Sequence, residues 1–337
     1  MNPRVVTVFG GSGFLGRHLV KRLAAEGAIV RVAVRDPEGT NYLKPLGDVG
    51  QIVPWPADVT DRALVGAAVA GADTVVNLVG ILFERGRSTF QRVHVEGAAN
   101  VAAAAKEAGA RRLVQVSALG ADANSPADYG RTKAAGEVAA LDAFPDATVV
   151  RPSVVFGSED KFFNLFAGMA RLLPVLPVFG CPTIPKVSLF GEDGLVKVDL
   201  YGNGGTKFQP VYAGDVADAI MGALSADDSK GRTFELGGPR VYSFKEIMEL
   251  MLATIGRRRL LVPWPFAIAN IQAWFLELAP VPLLTRDQLR LLQRDNVVSA
   301  GALTLADLGI EAAAAEAILP TYLHVYQHAG ERVPRTA

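Results

Sequence analysis

The stretch VTVFGGSGFLGRHLV, residues 6–20, constrains this chain more than any other. It reads as a β-branched run, a glycine-rich turn and an amphipathic helix, in that order. Gly10, Gly13 and Gly16 are spaced G-x-x-G-x-x-G, and Gly11, Gly13 and Gly16 also satisfy G-x-G-x-x-G. Missing side chains permit a tight turn and let backbone amides at a helix N-terminus approach a pyrophosphate. The expected contacts are Gly10, Ser12, Gly13, Phe14, Leu15, Gly16 and Arg17. A motif of this kind carries weight when it sits at the first strand-to-helix turn of an alternating chain.

Such alternation follows. VVTVF, FLGRHLVKRLAAEG, IVRVAV, a helix near 61–70, DTVVNLVG, NVAAAAKEAGARRLVQVS, the helix carrying Tyr129, and ATVVRPSVVFG give about six βα steps by residue 150 or so. The predicted fold class is α/β, a Rossmann doubly wound parallel sheet with a smaller α/β C-terminal capping region. The domain expectation is residues 1–157 for dinucleotide binding and 158–337 for a capping and partner-contact region interleaved with the sheet edge. After Pro152 the alternation fails, giving way to a helix, the bend LPVLPVFGCPTIP and helices near 213–225 and 243–255.

Composition narrows the partners. The 337 residues carry 34 basic and 34 acidic side chains, a balance that argues against nucleic acid. One cysteine, Cys181, excludes an internal disulfide, and no Cys/His cluster has metal-ligand spacing. The opening MNPRVVTVFGG shows neither a signal-peptide core nor a transit sequence, so the chain is expected inside the cell. LLVPWPFAIANIQAWFLELAPVPLL, residues 260–284, is nearly all apolar, but its prolines leave a helix of about 14 residues, short of the ~20 that span a bilayer. It reads either as a core helix or as an interfacial one, with Arg257, Arg258 and Arg259 ahead of it to meet an anionic membrane surface or to cap the preceding helix.

The second strand ends VRVAVRDP, with Arg35 standing where NAD-preferring folds usually place an acid, 19 residues beyond Gly16. Arginine suits a 2′-phosphate, so NADPH is expected over NADH, with Arg17 as a second guanidinium. The alternative is that Arg17 lies on a surface helix and Asp36 takes the ribose. In ADVTD, Asp58 and the Val59 amide would read adenine, and Asp61 would cap a helix. Leu78, Val79 and Gly80 form a backbone platform at the end of the fourth strand.

DYGRTK, residues 128–133, places Tyr129 four residues before Lys133 and hence on the same helix face. With these residues the chain resembles the short-chain dehydrogenase/reductase superfamily, in its extended and atypical branch. There the lysine lowers the tyrosine pKa and holds the nicotinamide ribose, and the tyrosine moves the proton accompanying hydride transfer. The resemblance makes Pro152 and Val154, in RPSVVFG, the expected neighbours of the nicotinamide carboxamide. It also implies a polarising serine or threonine just past strand five. Here Ser117 stands at the strand end and Ala118 and Leu119 follow, which weakens the case for turnover. His94 stands where asparagine is usual; it, His18, His324 and His328 read as ordinary residues.

YGRTKAAGE, RPSVVFGSEDKFFNLFA, FQPVYAGDVADAI and LTRDQLRLLQRDNVVS together resemble the NADPH-binding accessory subunit of respiratory complex I, the mitochondrial member and its bacterial relatives. The resemblance implies other complex I subunits as partners and an assembly or stability role without independent turnover. It also implies a peripheral place on the cytoplasmic face of a bacterial inner membrane or the matrix side of a mitochondrial one. An active NADP-dependent short-chain reductase or sugar-nucleotide epimerase using Tyr129 and Lys133 is the alternative. Between Cys181 and Lys207 the link is longer than the family pattern, and an added hairpin is expected there.

Overall fold

Parallel strands need long crossovers, and this chain supplies them as helices laid on both faces of one sheet. The computed structural model describes residues 4–182, 186–188 and 197–327. The N-terminal elements are β1 (Val5–Phe9), α1 (Phe14–Ala25), β2 (Ile29–Val34), β3 (Ile52–Pro56), α2 (Arg62–Val69), β4 (Thr74–Asn77), α3 (Gly97–Glu107), β5 (Arg112–Val116), α4 (Asp128–Ala143) and β6 (Thr148–Pro152). Two later elements join them, α5 (Ala213–Ser225) and β7 (Thr233–Leu236).

The seven strands run in the order β7-β6-β5-β4-β1-β2-β3, all parallel. The expected doubly wound sheet is therefore present. Its order reverses between β1 and β4, the switch point outside whose strand ends ligands bind in such folds. One apolar core lies under α1 and α5 and includes Leu19, Leu23, Val216 and Ile220. The other, on the opposite face, lies under α2, α3 and α4 and includes Val65, Val101 and Ala140. A fork of hydrogen bonds from Arg22 to Asp218, at 2.6 and 2.9 Å, joins α1 to α5 at their rim.

The chain divides into two compact units. The first holds Met1–Val155, Val211–Gly237 and Val298–Ala312. Alternation predicts one boundary at 157; the structure instead returns two later segments to the first unit. The reason is backbone pairing: β7 extends β6 from Thr233↔Val149 to Leu236↔Pro152, and the Glu235 amide donates to Leu303 O at 2.8 Å.

The second unit holds Phe156–Pro210, Gly238–Val297 and Ala313–Ala337. Its core is aromatic, with Phe162, Phe166, Phe179, Phe208 and Phe244 in edge or tilted contact. Strand Val175–Val178 pairs in parallel with Leu260–Pro263. Lys186–Ser188 pairs antiparallel with Lys197–Asp199, within the link where a hairpin is expected; 183–185 and 189–196 lie outside the described residues. The apolar segment forms helix Phe266–Leu276, in which only Ala269 and Ala273 are buried. Ile271, Trp274, Phe275 and Leu278 are exposed, so this is not a core helix. Among the described residues no helix is long and apolar enough to cross a membrane.

The first turn rests on two glycines. Gly10 has φ +75°, the left-handed region that favours glycine. At Gly16 a Cβ would lie 2.5 Å from the Gly11 backbone, so the first turn of α1 sits directly on the turn that precedes it. Gly16→Ala is expected to destabilise the fold by about 1–3 kcal/mol. Urea unfolding checks this, and a midpoint equal to wild type would refute the packing role.

Candidate functional site

The carboxyl ends of β1, β2, β3 and β4 open on a cleft of about 820 Å³. Of the residues expected to touch a dinucleotide, Gly10, Ser12, Gly13, Arg35, Asp58, Val59, Leu78, Val79 and Gly80 line it. Gly13 is the N-cap of α1; no side chain caps the helix and no acid stands in its first turn. The amides there are free of side-chain competition, which suits an anion. By contrast Asp61 caps α2 as expected, accepting from the Ala63 and Leu64 amides at 3.0 and 3.1 Å.

The cleft's donors fit a phosphorylated nucleotide. Arg35 lines it, whereas Asp36 turns back on the chain to accept from the Gly39 amide at 3.2 Å. Arg17 is not among the residues that line the cleft: its guanidinium lies over the Tyr42 ring at 4.6 Å, and its Nε donates to the backbone carbonyl of Ser12, at the cleft wall, at 3.4 Å. Asp58 Oδ1 accepts from the Thr60 amide and hydroxyl, both at 2.9 Å, which fixes the loop after β3. Asn77 orders the platform after β4, donating to Gln115 Oε1 at 2.9 Å and accepting from the Val79 amide at 3.1 Å. Phe14, Leu15 and Gly16 are not part of the cleft wall; Gly16 is buried against Gly11.

Tyr129 and Lys133 lie on α4 as expected, one turn apart. A Cβ on Gly80 would lie 3.7 Å from both Lys133 Nζ and His94 Nε2, so the lysine reaches the Gly80 end of the cleft. Lys133 is buried and donates to Val116 O at 2.9 Å, and desolvation lowers its pKa to about 8 against a raising influence of Glu137. Tyr129 meets the edges of His94 and Phe90 at 5.4 and 6.1 Å, and desolvation pushes its phenol up to about 12. Ser117 at the end of β5 is buried, and among the described residues its Oγ has no hydrogen-bond partner. Pro152 is buried at the end of β6 and Val154 is half-buried beyond it.

Several residues around the site carry no sequence signal of their own. Glu137, one turn beyond Lys133, receives a two-pronged bond from Arg151 at 2.9 and 2.6 Å. Arg151 also reaches Glu235 of β7 at 3.5 Å, and Glu235 accepts from the Ser299 amide at 2.8 Å. This chain ties α4 to β6, to β7 and to the returning 298–312 segment. Arg62, Arg87, Ser88 and Arg92 also line the cleft.

His94 is more than an ordinary core residue. It sits in a π-helical turn, Gln91–Glu96, and its backbone carbonyl approaches α4 so closely that a Cβ on Gly136 would lie 2.1 Å from it. Its Nε2 accepts from the Ile81 amide at 3.1 Å, and Nδ1 lies 3.0 Å from Thr132 Oγ1. Thr132 Oγ1 in turn donates to Asp128 O at 2.8 Å, so the neutral Nδ1–H tautomer satisfies both ring nitrogens. His18 meets Phe14 and Tyr212 edge-on, and His324 lies in the second unit; His328 lies outside the described residues. No group of acids, histidines and cysteines suited to a metal occurs among the described residues.

A family model described as the NAD dependent epimerase/dehydratase family matches residues 6–237. Subunit 9 of the NADH dehydrogenase [ubiquinone] 1 alpha subcomplex, mitochondrial, from Arabidopsis thaliana is 38% identical over 318 residues, covering 91% of this chain and 74% of that protein. The mitochondrial NADH-ubiquinone oxidoreductase 40 kDa subunit of Neurospora crassa is 32% identical over 328 residues, 97% of this chain and 80% of the other. Among solved structures, the UDP-glucose 4-epimerase of Thermus thermophilus, in complex with NAD, superposes with a TM-score of 0.66 at 19% identity over 96% of this chain and 99% of that one. At that identity the likeness concerns the fold alone.

Burial and Lys133 lower the His94 pKa to about 3, the Ile81 bond opposing them, while an exposed histidine titrates near 6.5. Between these values the unfolded chain binds more protons, so stability falls as pH drops from 6.5 toward 3. His94 should account for about 2 kcal/mol lost between neutrality and pH 5. His94→Gln should flatten that limb in acid unfolding followed by circular dichroism; an unchanged slope would show that His94 does not carry it.

Proposed function

This chain belongs to the NAD dependent epimerase/dehydratase family and, within it, groups with complex I subunits; from that premise we propose that it is an NADPH-binding accessory subunit of respiratory complex I. The observation that carries the reading is the near full-length similarity to those subunits, which extends through the second unit. The role is to hold the dinucleotide and support assembly or stability of the complex beside the membrane, on the cytoplasmic face in a bacterium or the matrix side in a mitochondrion.

Cofactor preference rests on Arg35. It lines the cleft at the end of β2, where a ribose 2′-phosphate would meet a guanidinium, while Asp36 is engaged with Gly39. The bound group would bring a nicotinamide capable of hydride transfer. Around it, Gly10, Ser12 and Gly13 would accommodate the pyrophosphate, and Lys133 the ribose hydroxyls.

Absence of turnover is favoured by one feature of the site. Ala118 and Leu119, the two residues after Ser117, stand where a polarising hydroxyl would be needed, and neither carries one. The membrane side of the proposal rests on Ile271, Trp274, Phe275 and Leu278, exposed in the second unit, with Arg258 also exposed nearby in sequence.

The second reading, a reductase or sugar-nucleotide epimerase using Tyr129 and Lys133, is favoured by their shared face on α4 and by the family match. Tyr129→Phe decides between them: wild-type growth and respiration with that variant, alongside loss of function on disrupting Gly13, excludes catalysis as the role.

Affinity purification from native membranes should return this chain with the other complex I subunits, and intact complex lacking it would end the primary reading. Separately, Arg35→Ala should weaken NADPH binding at least about tenfold and leave NADH within about twofold, by calorimetry. Equal losses for both would remove the 2′-phosphate assignment.

A further inference from the structure

Four arginines line the cleft, and two already have partners. Arg62 is paired with Glu107 at 2.6 Å, and Arg92 Nη1 donates to the Arg87 carbonyl at 3.0 Å. Among the described residues no hydrogen bond or ion pair engages the guanidinium of Arg35 or of Arg87. Arg35 has an assignment in the reading above. Arg87, on a different loop after β4, has none.

The loop that presents Arg87 is built rather than loose. Arg85 and Ser88 exchange backbone hydrogen bonds, both at 3.0 Å, across a two-residue turn in which Gly86 adopts φ +56°. The Phe90 amide donates to Glu84 Oε1 at 2.7 Å, and the Arg92 amide to Thr89 Oγ1 at 3.2 Å. These bonds and the Arg92 brace fix the Arg87 backbone at the cleft wall without help from a ligand. A cation held in this way adds little to the fold, because it neutralises no acid of the chain. Its chemistry matches a group that arrives with charge.

We propose that Arg87, braced by Arg92, is a second phosphoryl-binding element of the cleft, contributed by the hairpin after β4 and separate from both the glycine turn and Arg35. The inference rests on the dinucleotide reading and deepens it. A dinucleotide phosphate carries acceptor oxygens beyond those that one helix N-terminus can meet, and a guanidinium fork answers them with paired, charge-assisted bonds. Either the pyrophosphate or a 2′-phosphate offers this chemistry.

The test is calorimetric titration of the full chain with NADPH and with NADH, for wild type, Arg87→Ala, Arg87→Lys, Arg85→Ala and Arg35→Ala, with thermal unfolding as a check on folding. Arg87→Ala is expected to lose about tenfold in affinity, Arg87→Lys less, and the salt dependence of binding should diminish. Arg85 shares the hairpin but does not line the cleft, so Arg85→Ala should bind as wild type. Loss confined to NADPH identifies the 2′-phosphate, and equal loss for both dinucleotides identifies the pyrophosphate; either supports the proposal. Wild-type affinity in Arg87→Ala, or an equal loss in Arg85→Ala, overturns it. If Arg35→Ala discriminates the two cofactors while Arg87→Ala does nothing, this inference falls and the functional reading stands. If the wild type binds neither dinucleotide, both fall.

Discussion

The approach of Gly16 to the Gly11 backbone is the contact on which the cleft depends. It sets the first turn of α1 against the end of β1 with no side chain between them. The uncapped amides of α1 therefore open into the space that the reversal of strand order leaves between β1 and β4. Everything else at the site is arranged around that geometry: the Asn77 brace that shapes the platform after β4, the Asp58 loop, and Arg35 at the neighbouring strand end. A larger residue at position 16 would alter the orientation of the helix itself, so the chemistry and the packing are the same constraint.

Electrostatics on the α4 side follow a different logic. Lys133 is buried, its amine hydrogen-bonded to a strand carbonyl, and two carboxylates share Arg151 nearby. Counting buried Lys133 and half-buried Arg151 against buried Glu137 and Glu235, these charges balance. Each would be costly alone; together they are held in a fixed chain across α4, β6 and β7. Neutral His94 completes the surroundings, its ring nitrogens committed to Ile81 and Thr132. The helix that bears Tyr129 is thus held by polar contacts as well as by its small apolar face of Gly130, Gly136 and Ala140.

Much of this was legible in sequence because it rests on local pattern. The strand and helix periods from 5 to 152, the glycine turn and Arg35 lie in contiguous stretches whose chemistry does not depend on distant residues. What was not legible depends on distance. β7 is a four-residue strand some 80 positions after β6, separated from it by a segment of the other unit and by α5, and nothing in TFEL says which edge it joins. Glu137 and Glu235 look like surface acids until Arg151 brings them together. His94 reads as one histidine among four, and its significance emerges only where Gly136 lets α4 descend onto its carbonyl. The apolar run 260–284 was ambiguous for a related reason, since composition does not say whether a hydrophobic helix faces inward.

The late arrival of β7 has a consequence for how the chain is made. During synthesis the six strands through β6 are complete long before residues 233–236 leave the ribosome, so β6 waits as an open sheet edge with unpaired backbone groups. The intervening residues 156–210 belong to the other unit, and the strand that pairs with β6 comes only after them. Sheet completion is a long-range event that follows emergence of most of the chain, the kind of step that slows folding and exposes a nascent protein to mispairing. A chain interrupted before residue 233 would leave the β6 edge unpaired and open to another strand.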